Sequence, residues 1–243
     1  TGLFLWQNMF GVWPVSGAVG DTLRCRLHAY TEKAIREADL HTSWADPDDR
    51  FETDVHGWLD GVIDGPVATE LGALVAELDP HGRSDALGQK LLALTVPGVP
   101  DVYQGTELWE DNLVDPDNRR PVDFDAARAA LTELSHPKIR VVSAALRLRR
   151  DRPESFLTGG YTPVLGTGPA AEHLLAFGRG EDVLVAVSRW TVRLAETGWG
   201  DTALTLPAGH WRDRLTDSTH TGRVQVCSLF AGLPVALLER VDG

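Results

Sequence analysis

PGVPDVYQGTELWEDNLVDPDNRRPVDF, residues 97–124, places a short apolar run directly before a loop dense in hydrogen-bonding and charged groups. Residues 99–103 predict a strand, entered from a preceding helix through Gly98 and Pro100. Beyond it come Gln104, Glu107, Glu110, Asp111, Asn112, Asp115, Asp117, Asn118, Arg119, Arg120 and Asp123, with Tyr103 and Trp109 among them. Such a loop suits a polyhydroxylated ligand. Carboxylates and Asn pair with hydroxyls, Arg donates in a fixed fork, and aromatic faces cover the apolar faces of pyranose rings. The same residues also read as a long surface turn: Asp-Pro-Asp-Asn is turn chemistry, and Arg beside Asp forms ion-pair lattices that fix a loop.

Upstream, the periodicity is helical. After an aromatic, loop-like start, residues 21–38 predict a helix N-capped by Asp21, with Leu23, Leu27, Tyr30 and Ala34 on one face. Residues 46–64 predict a second, with Pro47 and Asp48 at its start and Phe51, Val55, Trp58, Leu59 and Val62 as its buried stripe. Gly65-Pro66 ends it, and two further helices follow at 67–78 and 84–95, the latter capped by Ser84 with Leu87, Leu91 and Leu94 inward. Past the polar loop, 124–134 and 137–150 read as helices, the second with Ile139, Val142 and Leu146 on one side. Arg147, Arg149 and Arg150 fall in its last turn and read as charges opposing the helix dipole. From Arg152 onward the pattern turns to short alternating runs at 173–178, 183–190, 202–206, 210–215, 224–229 and 235–238. That is an all-β module, with a boundary near Pro153. Trp190, Trp199 and Trp211 within it read as core residues or as a sugar-stacking platform.

Composition excludes several classes. The 243 residues, 43% hydrophobic and 24% charged, suffice for one large core or two modest ones. A net charge of −12 argues against nucleic acid and anionic membrane as partners, since both demand a basic surface, and favours a neutral substrate. No apolar run reaches the length of a membrane span, and TGLFLWQNMFGVWP lacks a basic n-region, so no secretory leader is expected. The two cysteines, Cys25 and Cys227, have no CxxC partner, which makes cytoplasm the expected compartment. His28, His56, His81 and His136 show no metal-ligand spacing. No phosphate-binding loop, dinucleotide fingerprint, HExxH, GxSxG or EF-hand loop occurs.

Gly98, Pro100, Tyr103, Gly105 and Glu107 fall in step with G-x-P-x-x-Y-x-G-x-E, and the segment thereby resembles the last barrel strand of the α-amylase superfamily. The longer strings YQGTELW and LVDPDNRRPVDF are similar to the maltooligosyl trehalose synthase family in particular. So are AYTEKAIREADLHTSW (29–44), FGVWP near the start and the closing LPVALL. A Lys is common in that family where Asp39 stands. The resemblance implies an α/β part followed by an all-β part. Residues 1–152 would be the carboxyl-terminal portion of a (β/α)8 barrel, its last helices and final strand, and residues 153–243 a trailing antiparallel β-sandwich domain.

Barrel active sites lie at the carboxyl ends of the strands, so the resemblance implies substrate-facing positions for Tyr103, Gln104 and Glu107. His41 and Trp44 would border the sugar groove, although Trp44 also reads as a core anchor. Asp117, Asn118 and Arg119 would contact the glucan or fix the loop. Enzymes of this superfamily act with retention through two carboxylates about 5 Å apart. In this family the released glucose recaptures the intermediate, turning a reducing-end α-1,4 bond into an α,α-1,1 bond. The catalytic carboxylates belong to earlier barrel strands and are expected upstream of this chain, so no catalytic residue is assigned; Glu107 matches a supporting carboxylate at the rim. The implied partners are a maltooligosaccharide (α-1,4-glucan) and the amino-terminal part of the same enzyme, with no cofactor and no metal. Another glucan-active hydrolase of the superfamily, or a non-catalytic carbohydrate-binding or assembly module, are the alternatives.

Overall fold

The computed structural model describes residues 1–241, which fall into two units: Thr1–Pro80 with Glu110–Val122, and His81–Trp109 with the chain from Asp123 onward. Asp242 and Gly243, the end of the expected 153–243 module, lie outside the described residues.

The first unit is helical. Its helices are α1 (Gly2–Val12), α2 (Asp21–Ala38), α3 (Asp49–Asp64) and the first part of α4 (Val67–Thr95). The opening residues, expected as a loop, form α1 because Leu5, Met9 and Val12 recur at helical spacing and are buried. They join Leu27 and Tyr30 of α2, Leu59 and Val62 of α3, Leu71 and Val75 of α4, and Leu113 in one core. Each such side chain, fully buried, contributes about 1.5–3 kcal/mol. The loop after α1 packs directly on α4: a Cβ on Gly72 would lie 3.1 Å from the Cα of Gly17. Helix α3 starts as expected, with Asp48 accepting from the Phe51 N–H at 2.9 Å, whereas α2 is capped at Gly20 and holds Asp21 in its first turn.

Two helices were expected over 67–95, and one forms, with Pro80 inside it. Proline removes an amide donor and crowds the preceding turn. Here apolar stripes on both sides of it, Leu71 and Val75 before and Leu87, Leu91 and Leu94 after, are each buried in a core of their own unit and carry the helix through.

The second unit joins helices to two antiparallel sheets. Strands β1 (Tyr161–Pro163), β3 (Leu174–Arg179), β4 (Val183–Ser188), β6 (His210–Asp213), β7 (Thr219–His220) and β9 (Val235–Val241) make a six-stranded sheet in the order β1-β3-β4-β9-β6-β7. The second sheet is β2 (Gly166–Thr167), β5 (Ala203–Thr205) and β8 (Arg223–Gln225). Every residue of β4 is buried, and its alternation splits them between two cores. Val183, Val185 and Val187 pack with Leu87, Leu91 and Leu94 of α4 and with Val141 and Leu148 of α6 (Pro137–Asp151). Leu184 and Ala186 pack with Leu204 and Val224 of the second sheet, around Trp211.

Three local expectations change. The run 224–229 turns from β8 into the short helix α9 (Val226–Leu229); Leu146 is exposed, while Val141, Ala145 and Leu148 form the buried face of α6; and the change from helix to sheet near Pro153 is not a break in packing. The helices preceding Pro153 share a core with the strands that follow it.

The largest departure is at residues 99–103, where no strand forms. A strand exists through the ladder of its neighbours, and no described strand pairs with these residues. Val99 is 97% exposed. The entry into the segment is nonetheless fixed. Arg179, buried in β3, donates to the Thr95 carbonyl at 2.7 Å and the Phe156 carbonyl at 2.9 Å, and Arg149 donates to the Leu94 carbonyl at 3.0 Å. Two guanidiniums thus satisfy carbonyls at the end of α4 that have no partner within the helix.

Candidate functional site

The residues singled out from sequence fall into both units. In the second unit, Gly105 has φ +84°, a conformation that suits glycine, and turns the chain so that Leu108 N–H reaches the Gly105 carbonyl at 3.3 Å. Thr106 closes the preceding turn on the Tyr103 carbonyl, through its hydroxyl at 2.6 Å and its N–H at 3.1 Å. The end of the loop is pinned by Trp109, which lies under Arg83 at 4.6 Å, meets the edge of His136 at 5.0 Å, and packs beside Lys138, whose Nζ donates to the Leu108 carbonyl. Tyr103 and Gln104 are exposed and Glu107 half-buried; none of the three side chains has a hydrogen-bond or ion-pair partner among the described residues. A turn held by its backbone thus presents a phenol, an amide and a carboxylate, all free to receive hydroxyl groups.

In the first unit the polar loop is tied down by α2. Arg26 grips Asp117 with both ends of its fork, Nε to Oδ1 and Nη2 to Oδ2 at 2.9 Å each, and its Nη2 also donates to the Asp111 carbonyl at 2.8 Å. The Leu113 N–H donates to Asp117 Oδ2 at 2.8 Å. Burial alone raises the Asp117 carboxyl, but the Arg26 hydrogen bonds, the Leu113 N–H and the charges of Arg26 and Arg120 outweigh it and hold it below the ordinary aspartate range. One helix turn pair further along α2, Lys33 donates to the Asp115 carboxylate at 2.8 Å and to its carbonyl at 2.9 Å, and Arg119 pairs with the same carboxylate. Asp117 and Arg119 therefore sit in an internal lattice. Asn118 differs: its side-chain carbonyl oxygen is buried with no donor.

His41 and Trp44 follow the end of α2, where Asp39 is the left-handed C-cap. His41 is exposed and lies against the Phe51 ring at 4.9 Å. Trp44 is 59% exposed, with Arg36 over its ring at 4.8 Å, so it is no core anchor. The loop is held between them by Thr42, whose hydroxyl donates to Glu52 at 2.6 Å and accepts from the Asp48 N–H at 3.0 Å. The hydrogen bonds of Arg36 and Thr42 keep the Glu52 carboxyl down at about 2. Sequence reasoning missed Arg26, Lys33 and Arg36 as the residues that shape these loops. The spacing of Arg26 and Lys33, seven apart and so on one face of α2, was the available signal.

Of the three tryptophans in the sheet region, Trp211 is core, Trp199 packs on Phe230, and Trp190 is half-exposed beneath Arg189. No helix among the described residues is long and apolar enough to cross a membrane, and none of their His, Cys, Asp and Glu form a group of three or more able to hold a metal ion.

No protein-family model matches the chain. A Mycobacterium tuberculosis (strain H37Rv) protein, provisionally named maltooligosyl trehalose synthase, is 66% identical over 240 residues, which is 99% of this chain and 31% of the relative. The chain is homologous to part of a maltooligosyl trehalose synthase. Among solved structures, the maltooligosyltrehalose synthase of Arthrobacter ramosus is 44% identical with a TM-score of 0.88, over 98% of this chain and 32% of that one. A hypothetical maltooligosyl trehalose synthase of Sulfolobus tokodaii is 29% identical with a TM-score of 0.76. The chain thus spans about a third of the length of the synthases it matches.

The free Glu107 carboxylate gives a first test. If the parent protein turns over maltopentaose, Glu107→Gln in its full-length form is expected to lower kcat/KM roughly tenfold, the cost of one hydrogen bond to a charged group, while turnover persists. Complete loss of turnover with intact folding and unaltered substrate binding would place Glu107 in the bond-breaking step instead.

Proposed function

We propose that this chain is the carboxyl-terminal part of a maltooligosyl trehalose synthase, with residues 1–152 the end of its catalytic (β/α)8 barrel and residues 153–243 its trailing β-sandwich. The observation that carries the reading is the 66% identity sustained over 99% of the chain, far beyond the short barrel pattern that any glucan-active relative would share. The parent enzyme isomerises the reducing end of a maltooligosaccharide from an α-1,4 to an α,α-1,1 bond by intramolecular transglycosylation, and operates in the cytoplasm, which the two unpaired cysteines support.

In this reading the chain binds and orients the glucan and leaves the bond-breaking to carboxylates elsewhere in the enzyme. Tyr103, Gln104 and Glu107 meet sugar hydroxyls, Asn118 belongs to the loop that borders the glucan, and the exposed Trp44 ring lies along a pyranose face. Within the first unit Arg119 and His41 also meet the glucan, and Asp117 acts through the loop it fixes. Isomerisation instead of hydrolysis requires that water be kept from the intermediate while the released glucose turns, so a firm, ordered wall has a chemical purpose. Incubation of the full-length enzyme with maltopentaose tests the reaction: reducing ends are expected to disappear without release of glucose or maltose. A rise in reducing ends would make it a hydrolase.

A further inference from the structure

Arg149 and Arg150 lie in the last turn of α6 and Arg147 in the turn before it, and the three do not share one purpose. Arg149 donates to the Leu94 carbonyl in the last turn of α4 and to the Gly98 carbonyl beyond it, and Arg150 pairs with Asp151 at 2.9 Å. Arg147 has no hydrogen-bond or ion-pair partner among the described residues. It lines a cavity of about 160 Å³ in the second unit, together with Arg140 and Ser143 of α6, Arg212 of β6, Arg214 just after that strand, and Asp217. Arg140, Ser143 and Arg147 lie three and four residues apart and so share one helix face.

The charges can be counted. Arg212 is neutralised by Asp217 at 2.6 Å, and Arg214 by Glu239 at 2.9 Å and Asp151 at 3.1 Å. Arg140 donates only to the neutral Leu134 carbonyl at 3.2 Å, and Arg147 to nothing. Two guanidiniums without a carboxylate therefore remain on one wall, in a chain whose net charge is −12. Guanidinium forks lining one cavity suit the oxygens of a tetrahedral oxyanion, and the Ser143 hydroxyl adds a further polar group. The cavity, at about 160 Å³, has room for a single phosphate group.

We propose that the cavity between α6 and β6 binds a phosphate group, as free phosphate or on a phosphorylated sugar. The inference does not depend on the glucan reading, since none of its residues belongs to the loops described above. It is tested on the full-length enzyme by calorimetric titration with inorganic phosphate and with glucose 6-phosphate, at constant ionic strength maintained with potassium chloride. One saturable site is expected, weakened at least about tenfold by R147A and by R140A. R147K, which keeps the charge but loses the fork, should recover part of the affinity, and R128A, an exposed arginine of α5 (Phe124–Glu133) paired with Asp125, should bind as the wild type does. Tighter binding of glucose 6-phosphate identifies the phosphorylated sugar as the ligand, and equal binding identifies the phosphate group alone. Absence of saturable binding, unchanged affinity in R147A of unaltered melting temperature, or equal competition by chloride would overturn the proposal.

Discussion

Asp117→Asn is expected to destabilise the first unit by about 3–5 kcal/mol, the range for breaking a buried ion pair from one side. The substitution keeps the shape of the side chain and removes the charge, leaving the Arg26 guanidinium, only 12% exposed, with the more distant Asp111 carboxylate at 3.5 Å as its anion. Arg26→Ala should cost a similar amount, and the double variant little more than either single one, since the two groups act as a pair. Urea denaturation of the three variants measures this. The dependence on pH follows from the lowered carboxyl of Asp117. The unfolded chain takes up the proton near the ordinary aspartate value, ~3.9, and the folded chain only below it. The stabilisation is therefore complete above that value and is lost as pH falls through the lower folded one. If Asp117→Asn unfolds within about 0.5 kcal/mol of wild type while raising KM for maltopentaose in the full-length enzyme, the carboxylate serves the ligand and not the loop.

The second large effect is all or none. Residues 1–243 expressed alone are expected to convert no maltopentaose under conditions where the full-length enzyme converts it completely, because in our reading the reacting carboxylates stand on strands this chain does not contain. Limited proteolysis of the same sample should cut first within residues 96–107, where Val99 is almost wholly exposed. A resistant fragment beginning near Pro153 follows from the sequence. The structure alters that expectation: Leu87, Leu91 and Leu94 of α4 and Val141 and Leu148 of α6 share the core with β4 and β9, so the protected part should retain both helices. Steady conversion by the isolated chain would remove the fragment reading altogether.

Sequence by itself determined the elements whose signal is local. Periodicity bounded α2 at Asp21 and Ala38, turn chemistry bounded α3, and alternation found β3, β4 and β9, because these patterns depend on neighbours within a few residues. The string from Tyr103 to Phe124 also carried the kinship to the synthases, which the comparisons bear out. Only tertiary structure decided three other matters. The two helices expected at 67–78 and 84–95 are one, carried through Pro80 by buried apolar residues on either side. The apolar run at 99–103 carries a strand sequence without a described ladder partner, and strand formation depends on that partner. Asp117 meets Arg26 across 91 residues of sequence, and Asn118 beside it is left with a buried, unpaired oxygen; no local pattern separates the two. Ionic partners and unsatisfied groups are properties of the packed chain, since the groups that define them come together only when distant segments do.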